Sequence, residues 1–98
     1  MLTFISCKKD VKACIDMDNT SISVGQSITF TSCSENELSY WWEIKGPDTA
    51  PENSKAWSDR VFTNKFTVAG SYTVTLKVYS DFSFQGDMAE TTATFSVN

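Results

Sequence analysis

The feature that most constrains the fold of this chain is a strict alternation of apolar and polar side chains after Gly70. The apolar positions are Tyr72, Val74, Leu76 and Val78. In an extended strand every second side chain lies on the same face, so this segment has one apolar face and one polar face. The pattern predicts a strand that packs against a hydrophobic core and exposes its other face to water.

Comparable alternating segments recur along the chain, with turn residues between them. We interpret residues 60–67 and 88–97 as two further strands and residues 81–87 as a loop. The other positions predicted to face the core are Ala13, Ile15, Met17, Ile28, Phe30, Tyr40, Trp42, Ile44, Phe62, Phe66, Thr91, Ala93, Phe95 and Val97. About seven short strands separated by turns are typical of a small sandwich. The sequence therefore predicts an all-β, antiparallel β-sandwich.

Length and charge limit the chain to one domain and restrict its partners. The 98 residues are enough for one hydrophobic core. The net charge is −4 and basic residues cluster only at Lys8, Lys9 and Lys12, so we expect no nucleic-acid partner. Histidine, the commonest general base and metal ligand, is absent. This composition favours a binding or spacer module over an enzyme.

Residues 1–12 have the character of a remnant export signal followed by a charged tether. The apolar residues 1–6 are too few to span a membrane. Ser6 directly before Cys7, with Lys-Lys-Asp after it, resembles the cleavage site of bacterial lipoproteins, whose cysteine becomes the lipidated first residue. Phe4 departs from the leucine that is usual there. We predict a lipid on Cys7; the alternative is an ordinary N-terminus with an incidental cysteine.

This resemblance implies an exported, membrane-anchored lipoprotein that lies in the periplasm or on the cell surface. The membrane is then contacted only through the lipid on Cys7, and residues 13–98 form the folded domain.

The two remaining cysteines, Cys14 and Cys33, are predicted to form a disulfide. Counting from the inward positions of their strands places both side chains on the outer face. They are also nearly symmetric about the turn at Gly25, so antiparallel pairing of the two strands brings them opposite each other. Free structural cysteines are normally buried. Two exposed cysteines opposite each other therefore indicate a cross-strand disulfide rather than two free thiols. The alternative is a reduced pair in a cytosolic protein.

Three segments, residues 25–30, 39–44 and 69–76, occur in an order that resembles the PKD (polycystic kidney disease) domain. The resemblance covers roughly residues 13–98 and implies an immunoglobulin-like sandwich of extracellular and bacterial-surface proteins. In that family the tryptophan strand usually continues into a Gly-Asp-Gly turn, whereas this chain has Gly46-Pro47. Independently of the family, Trp42 suits a central core position, and Tyr72 suits a tyrosine corner whose hydroxyl bonds the backbone near the preceding turn.

Four aromatic residues are not accounted for by the core. Alternation places Trp41 on the outer face of its sheet, Trp57 lies in a long loop, and Phe82 and Phe84 lie in the predicted last loop. Exposed aromatic side chains on rigid strands can stack on sugar rings or anchor a protein interface. We take these four residues as a candidate contact surface. The alternative is that Trp57 covers a sheet edge and that Phe82 and Phe84 cap one end of the sandwich.

The acidic pairs do not predict a catalytic or metal centre. The pairs are Asp16 with Asp18, Glu35 with Glu37, and Asp81 with Asp87. Calcium needs six to eight converging oxygens, and no spacing here matches a calcium loop. No nucleophile has a base beside it, and no apolar pocket is evident that would raise the pKa of a carboxyl group. We therefore expect no cofactor and no catalysis; a calcium site is the less favoured alternative.

Together these features predict a non-catalytic cell-surface module of a bacterial lipoprotein that contacts protein or carbohydrate. The alternative is a structural spacer domain from a larger surface protein or extracellular enzyme.

Overall fold

A computed structural model of the protein describes residues 11–47, 58–82 and 85–98. Its strands are β1 (Ile15–Met17), β2 (Ser21–Ile22), β3 (Ser27–Ser32), β4 (Ser39–Lys45), β5 (Val61–Lys65), β6 (Gly70–Asp81) and β7 (Gln85–Val97). Within these three ranges there is no helix with the length and apolarity needed to cross a membrane.

The strands form two sheets that enclose the core. One has three strands in the order β1-β3-β5, and the other has four in the order β2-β7-β6-β4. The pairings are antiparallel except for the short parallel contact of β2 with β7. This arrangement confirms the predicted all-β, immunoglobulin-like sandwich with about seven strands.

Aromatic side chains from both sheets fill the space between them. The Phe30 and Phe62 rings of the three-stranded sheet stack at 4.7 Å between centroids. Trp42, from the four-stranded sheet, is fully buried and meets the Phe62 ring edge-on at 5.2 Å. Tyr72 and Phe95 stack at 5.1 Å. The side chains that the alternation assigned to the interior are buried or packed at the margin of this core, except that Thr91 is half-buried and is not part of the hydrophobic cluster.

The two largest buried side chains have partners for their polar atoms. Trp42 Nε1 donates to the Asp59 carbonyl at 2.8 Å, and the Tyr72 hydroxyl donates to the Val68 carbonyl at 2.5 Å. The second bond is the predicted tyrosine corner. Gly46 lies so close to the Tyr72 ring that a Cβ at this position would overlap it.

The β6–β7 hairpin is longer than the sequence predicts. Residues 81–87 were expected to form a loop, but β6 continues to Asp81 and β7 already begins at Gln85. Residues 85–88 are exposed on both faces of the hairpin, so their side chains show no apolar and polar contrast. At the other boundary, β5 ends at Lys65, although Phe66 beyond it is buried as expected.

Candidate functional site

The outer face of the four-stranded sheet carries a cluster of large side chains at one end. Trp41 lies opposite Lys77 of β6, and Tyr79, two residues further along β6, lies opposite Met88 of β7. Residues directly opposite or diagonal on one face of a sheet are within reach of aromatic side chains. Trp41 and Tyr79 are half-buried, and Met88 is 50% exposed. We call Trp41, Tyr79 and Met88 the outer-face patch.

Charged and hydroxyl side chains surround the outer-face patch. Lys77 lies between Trp41 on one strand and Glu90 on the other. The next rows along the sheet continue with glutamate, lysine and threonine: Glu43, Thr75, Thr92, Lys45, Thr73 and Thr94. A shallow groove of about 450 Å³ further along is lined by Thr20, Ser71, Thr94, Phe95 and Ser96. The face thus combines aromatic surface with many hydrogen-bonding groups.

The predicted contact residues are not all brought together. Phe82 is 66% exposed at the end of the hairpin, five residues beyond Lys77, the partner of Trp41. Five residues of strand span roughly 17 Å, so Phe82 is remote from Trp41, although it follows Tyr79 by only three residues. Trp57 and Phe84 lie outside the described residues.

Tyr79 and Met88 are members of the patch that the sequence reasoning missed. The alternation that puts Thr73, Thr75 and Lys77 on the outer face extends by one step to Tyr79. Met88 needs in addition the register of β6 against β7, because only that register places it opposite Tyr79. The signal for Tyr79 was therefore in the sequence, whereas the signal for Met88 depends on tertiary pairing.

The predicted disulfide between Cys14 and Cys33 is present, with the two Cα atoms 4.9 Å apart. The register of β1 against β3 brings the two residues opposite each other, and the Cys33 N–H donates to the Cys14 carbonyl at 3.0 Å. Both residues are exposed, as their strand positions predict. Cys7 lies outside the described residues, so its lipidation stays a prediction.

A small polar network lies beside the disulfide. The hydroxyl of Ser32, a fully buried residue, donates to the Ser34 hydroxyl at 2.8 Å and to Glu37 at 3.3 Å. Burial raises the pKa of the nearby Tyr40 phenol, the Glu37 carboxylate raises it further, and the Arg60 cation opposes the change. These contacts stabilise the end of the sandwich and do not place a base next to a nucleophile.

The acidic side chains are dispersed over the surface of the described ranges. Asp16 and Asp18 are both exposed, and Asp18 accepts the Thr29 N–H at 3.0 Å. Among the residues that the structure covers, no group of three or more Asp, Glu, Cys or His is arranged to hold a metal ion. The expectation that the protein needs no cofactor stays a prediction.

Three solved structures resemble this fold over most of the chain. The PKD1 domain of Vibrio anguillarum Epp has 26% identity and a TM-score of 0.65, covering 91% of this chain and 94% of that one. The PKD1 domain of the Vibrio cholerae metalloprotease PrtV has 26% identity and a TM-score of 0.63, covering 88% and 94%. A structure of carbohydrate-binding modules from the β-sandwich superfamily has 21% identity and a TM-score of 0.68, covering 91% of this chain and 34% of that one.

A search of curated proteins gave no match to the sequence. The family model described as the PKD domain matches residues 12–95, and this chain therefore belongs to the PKD domain family.

Proposed function

We propose that this PKD domain is a non-catalytic module of an exported protein and that it binds carbohydrate through the outer-face patch. The observation that carries the proposal is the position of Trp41. Its side chain lies on the solvent side of a strand whose next residue, Trp42, is fully buried in the core. The indole is therefore held on a rigid support, which lowers the entropy lost when a ligand binds.

The neighbours of Trp41 suit a sugar ligand. The face of an aromatic ring attracts the C–H face of a pyranose, and Tyr79 extends this surface diagonally across the sheet. Lys77 and Glu90 supply a donor and an acceptor for sugar hydroxyls in the row beside them. The similarity to carbohydrate-binding modules is one of fold.

The test is a glycan array followed by titration calorimetry with the sugars that bind. Trp41→Ala should weaken binding by at least tenfold, because the central stacking surface is lost. Phe82→Ala is the matched control, since Phe82 is an exposed aromatic residue remote from Trp41. Trp41→Ala should keep nearly the thermal stability of the wild type, because the side chain is only partly buried. If Trp41→Ala binds the sugar as tightly as the wild type does, the proposal is contradicted. If the domain binds a protein instead of a sugar, the patch is assigned to protein contact.

A spacer role is the second candidate. It is supported by the similarity to two domains designated PKD1, one of them from a metalloprotease. A pure spacer binds neither glycan nor surface protein, so a negative result in both assays favours it.

We also propose that a lipid on Cys7 anchors the domain to a bacterial membrane, in the periplasm or on the cell surface. The Cys14–Cys33 disulfide supports export, because disulfides persist in oxidising compartments. In the native host, Cys7→Ser should move the protein from the membrane fraction to the soluble fraction. Intact mass of the membrane form should include the added acyl chains, and an unmodified Cys7 contradicts the anchor.

A further inference from the structure

One edge of the four-stranded sheet has a long stretch without a hydrogen-bonded neighbouring strand. β2 pairs with β7 only at Ser96 and Val97; β1 of the other sheet passes near β7, but within the described ranges no other strand is hydrogen-bonded to this edge. The N–H of Ser96 donates to the Thr20 carbonyl across the edge. An unpaired edge of this kind presents its backbone N–H and C=O groups to any strand that approaches it.

The backbone groups that point across this edge can be identified. Ser96 directs its N–H away from β6, and along a strand alternate residues direct their N–H and C=O groups to the same side. Counting back from Ser96, the residues that face the edge are Thr94, Thr92, Glu90 and Met88. The odd-numbered residues between them direct their backbone N–H and C=O groups toward β6.

Both ends of this stretch are defined by the fold. At one end the β2 contact begins at Ser96. At the other end the register shifts between Tyr79 and Asp81, Gly86 has a φ of 85°, and the Asp87 N–H is bonded to the Ser80 hydroxyl. A bulge of this kind bends the strand and ends regular pairing. We call residues 88–94 the free edge.

We propose that the free edge pairs antiparallel with the free edge of a second copy of this chain, with Thr91 on the two-fold axis. Glu90 then lies opposite Thr92 of the second copy, and Met88 lies opposite Thr94. Each of these pairs exchanges two backbone hydrogen bonds. A two-fold contact between identical edges is self-complementary, so each interaction occurs twice.

Neighbouring registers are less favourable. Moving the axis to Glu90 places two glutamates opposite each other, and like charges directly across a sheet are destabilising. Moving it to Thr92 places Met88 opposite Ser96, whose N–H already donates to Thr20. With the axis at Thr91, every edge-facing residue of the free edge finds a partner and no like charges lie directly opposite each other.

A second copy centred on Thr91 fits between the two ends of the free edge. The bulge at Gly86 ends the paired stretch just before the position at which β2 of the second copy would block it. A contact of this size is below that of stable interfaces, so we expect a weak dimer that forms at high protein concentration.

The test is sedimentation analysis of the full chain over a wide concentration range, with two charge variants at one position. In the dimer Thr92 lies opposite Glu90, so Thr92→Lys creates two attractive pairs and Thr92→Glu creates two repulsive pairs. We expect association about threefold to tenfold stronger for the lysine variant and weaker by a similar factor for the glutamate variant. Thr92 is an exposed strand residue, so both variants should fold.

Hydrogen exchange gives a second measurement that does not depend on a variant. The N–H groups of Glu90 and Thr92 should gain protection as the protein concentration rises, whereas those of Thr91 and Ala93, which face β6, should be protected at every concentration. A chain that stays monomeric at every concentration overturns the proposal. Equal association of the two Thr92 variants overturns the Thr91-centred register.

Discussion

Trp42 and Tyr72 are fully buried, and each donates its polar hydrogen to a backbone carbonyl outside its own strand. A buried donor without an acceptor costs about 1–3 kcal/mol, so these bonds decide whether such residues can occupy the core. The two acceptors, Asp59 before β5 and Val68 before β6, lie outside the strands. The two bonds therefore also fix these connecting segments against the core.

The Tyr72 bond can be tested by removing one oxygen. Tyr72→Phe keeps the stacked ring against Phe95 but loses the bond to Val68, so we expect a destabilisation of about 1 kcal/mol. Urea unfolding measures it, with Tyr79→Phe as the matched control on the solvent side of the same strand. An unchanged midpoint for Tyr72→Phe shows that the tyrosine corner contributes no stability.

Tyr40 makes stability depend on alkaline pH. Burial, followed by the nearby Glu37 carboxylate, raises the pKa of its phenol above the ordinary value of 10.0. The unfolded chain therefore loses this proton at lower pH than the folded protein, and the free energy of unfolding falls as the pH rises above 10.0. Tyr40→Phe should show a shallower fall in urea unfolding measured across that range. A fall as steep as that of the wild type would exclude Tyr40 as its source.

Among the elements, β1 is the shortest strand of its sheet and depends on a covalent link. It pairs with β3 over three positions, and the Cys14–Cys33 bond continues that pairing beyond the strand. The half-buried side chains Ile15 and Met17 provide only part of its anchorage in the core.

Removing this link should destabilise the whole domain. The bond joins residues 19 apart, for which the chain-entropy model gives about 3 kcal/mol. We expect Cys14→Ser, Cys33→Ser and the double variant to lose similar amounts in urea unfolding, because each removes the same cross-link. Thiol titration of the unfolded, unreduced wild type should find both residues unreactive, and their reaction with the reagent would show that the bond is absent.

The strands that the sequence predicted are those with one buried and one exposed face. In β6 the alternation from Tyr72 to Val78 follows the observed burial at each position. The pattern fails where both faces meet water, as at the start of β7, because nothing then selects apolar residues on one side. It also cannot assign β2, whose two residues carry no information about which sheet they join.

The same reasoning explains how far the candidate site could be predicted. The outward position of Trp41 follows from the burial of Trp42 and needs only the period of a strand. Its neighbourhood depends on which strands adjoin and in what register, since Tyr79 and Lys77 come from β6, and Met88 and Glu90 come from β7. Contacts across strands are properties of the sheet and leave no signature in any one segment.

For the molecule as a whole, the two proposed surfaces are compatible. The outer-face patch uses side chains that point away from the sheet, whereas the free edge uses backbone groups that lie within its plane. Met88 belongs to both surfaces: its side chain is part of the outer-face patch, and its backbone is part of the free edge. Because pairing at Thr91 keeps equivalent faces on the same side, a dimer presents two patches in one direction, and a polymeric ligand can engage both.

The position of the disulfide has a mechanical consequence. When a pulling force acts at the two ends of the folded domain, tension entering at Cys14 passes directly through the sulfur bridge to Cys33, so the residues between them carry no load. Under single-molecule stretching, the contour released on unfolding should be about 60 Å shorter for the oxidised domain than after reduction, at roughly 3.3–3.6 Å per residue. Three of the seven strands, β1, β2 and β3, are contained in this protected loop. If the two lengths are equal, tension does not follow this route. If they differ, the bridge limits how far the domain can extend under load.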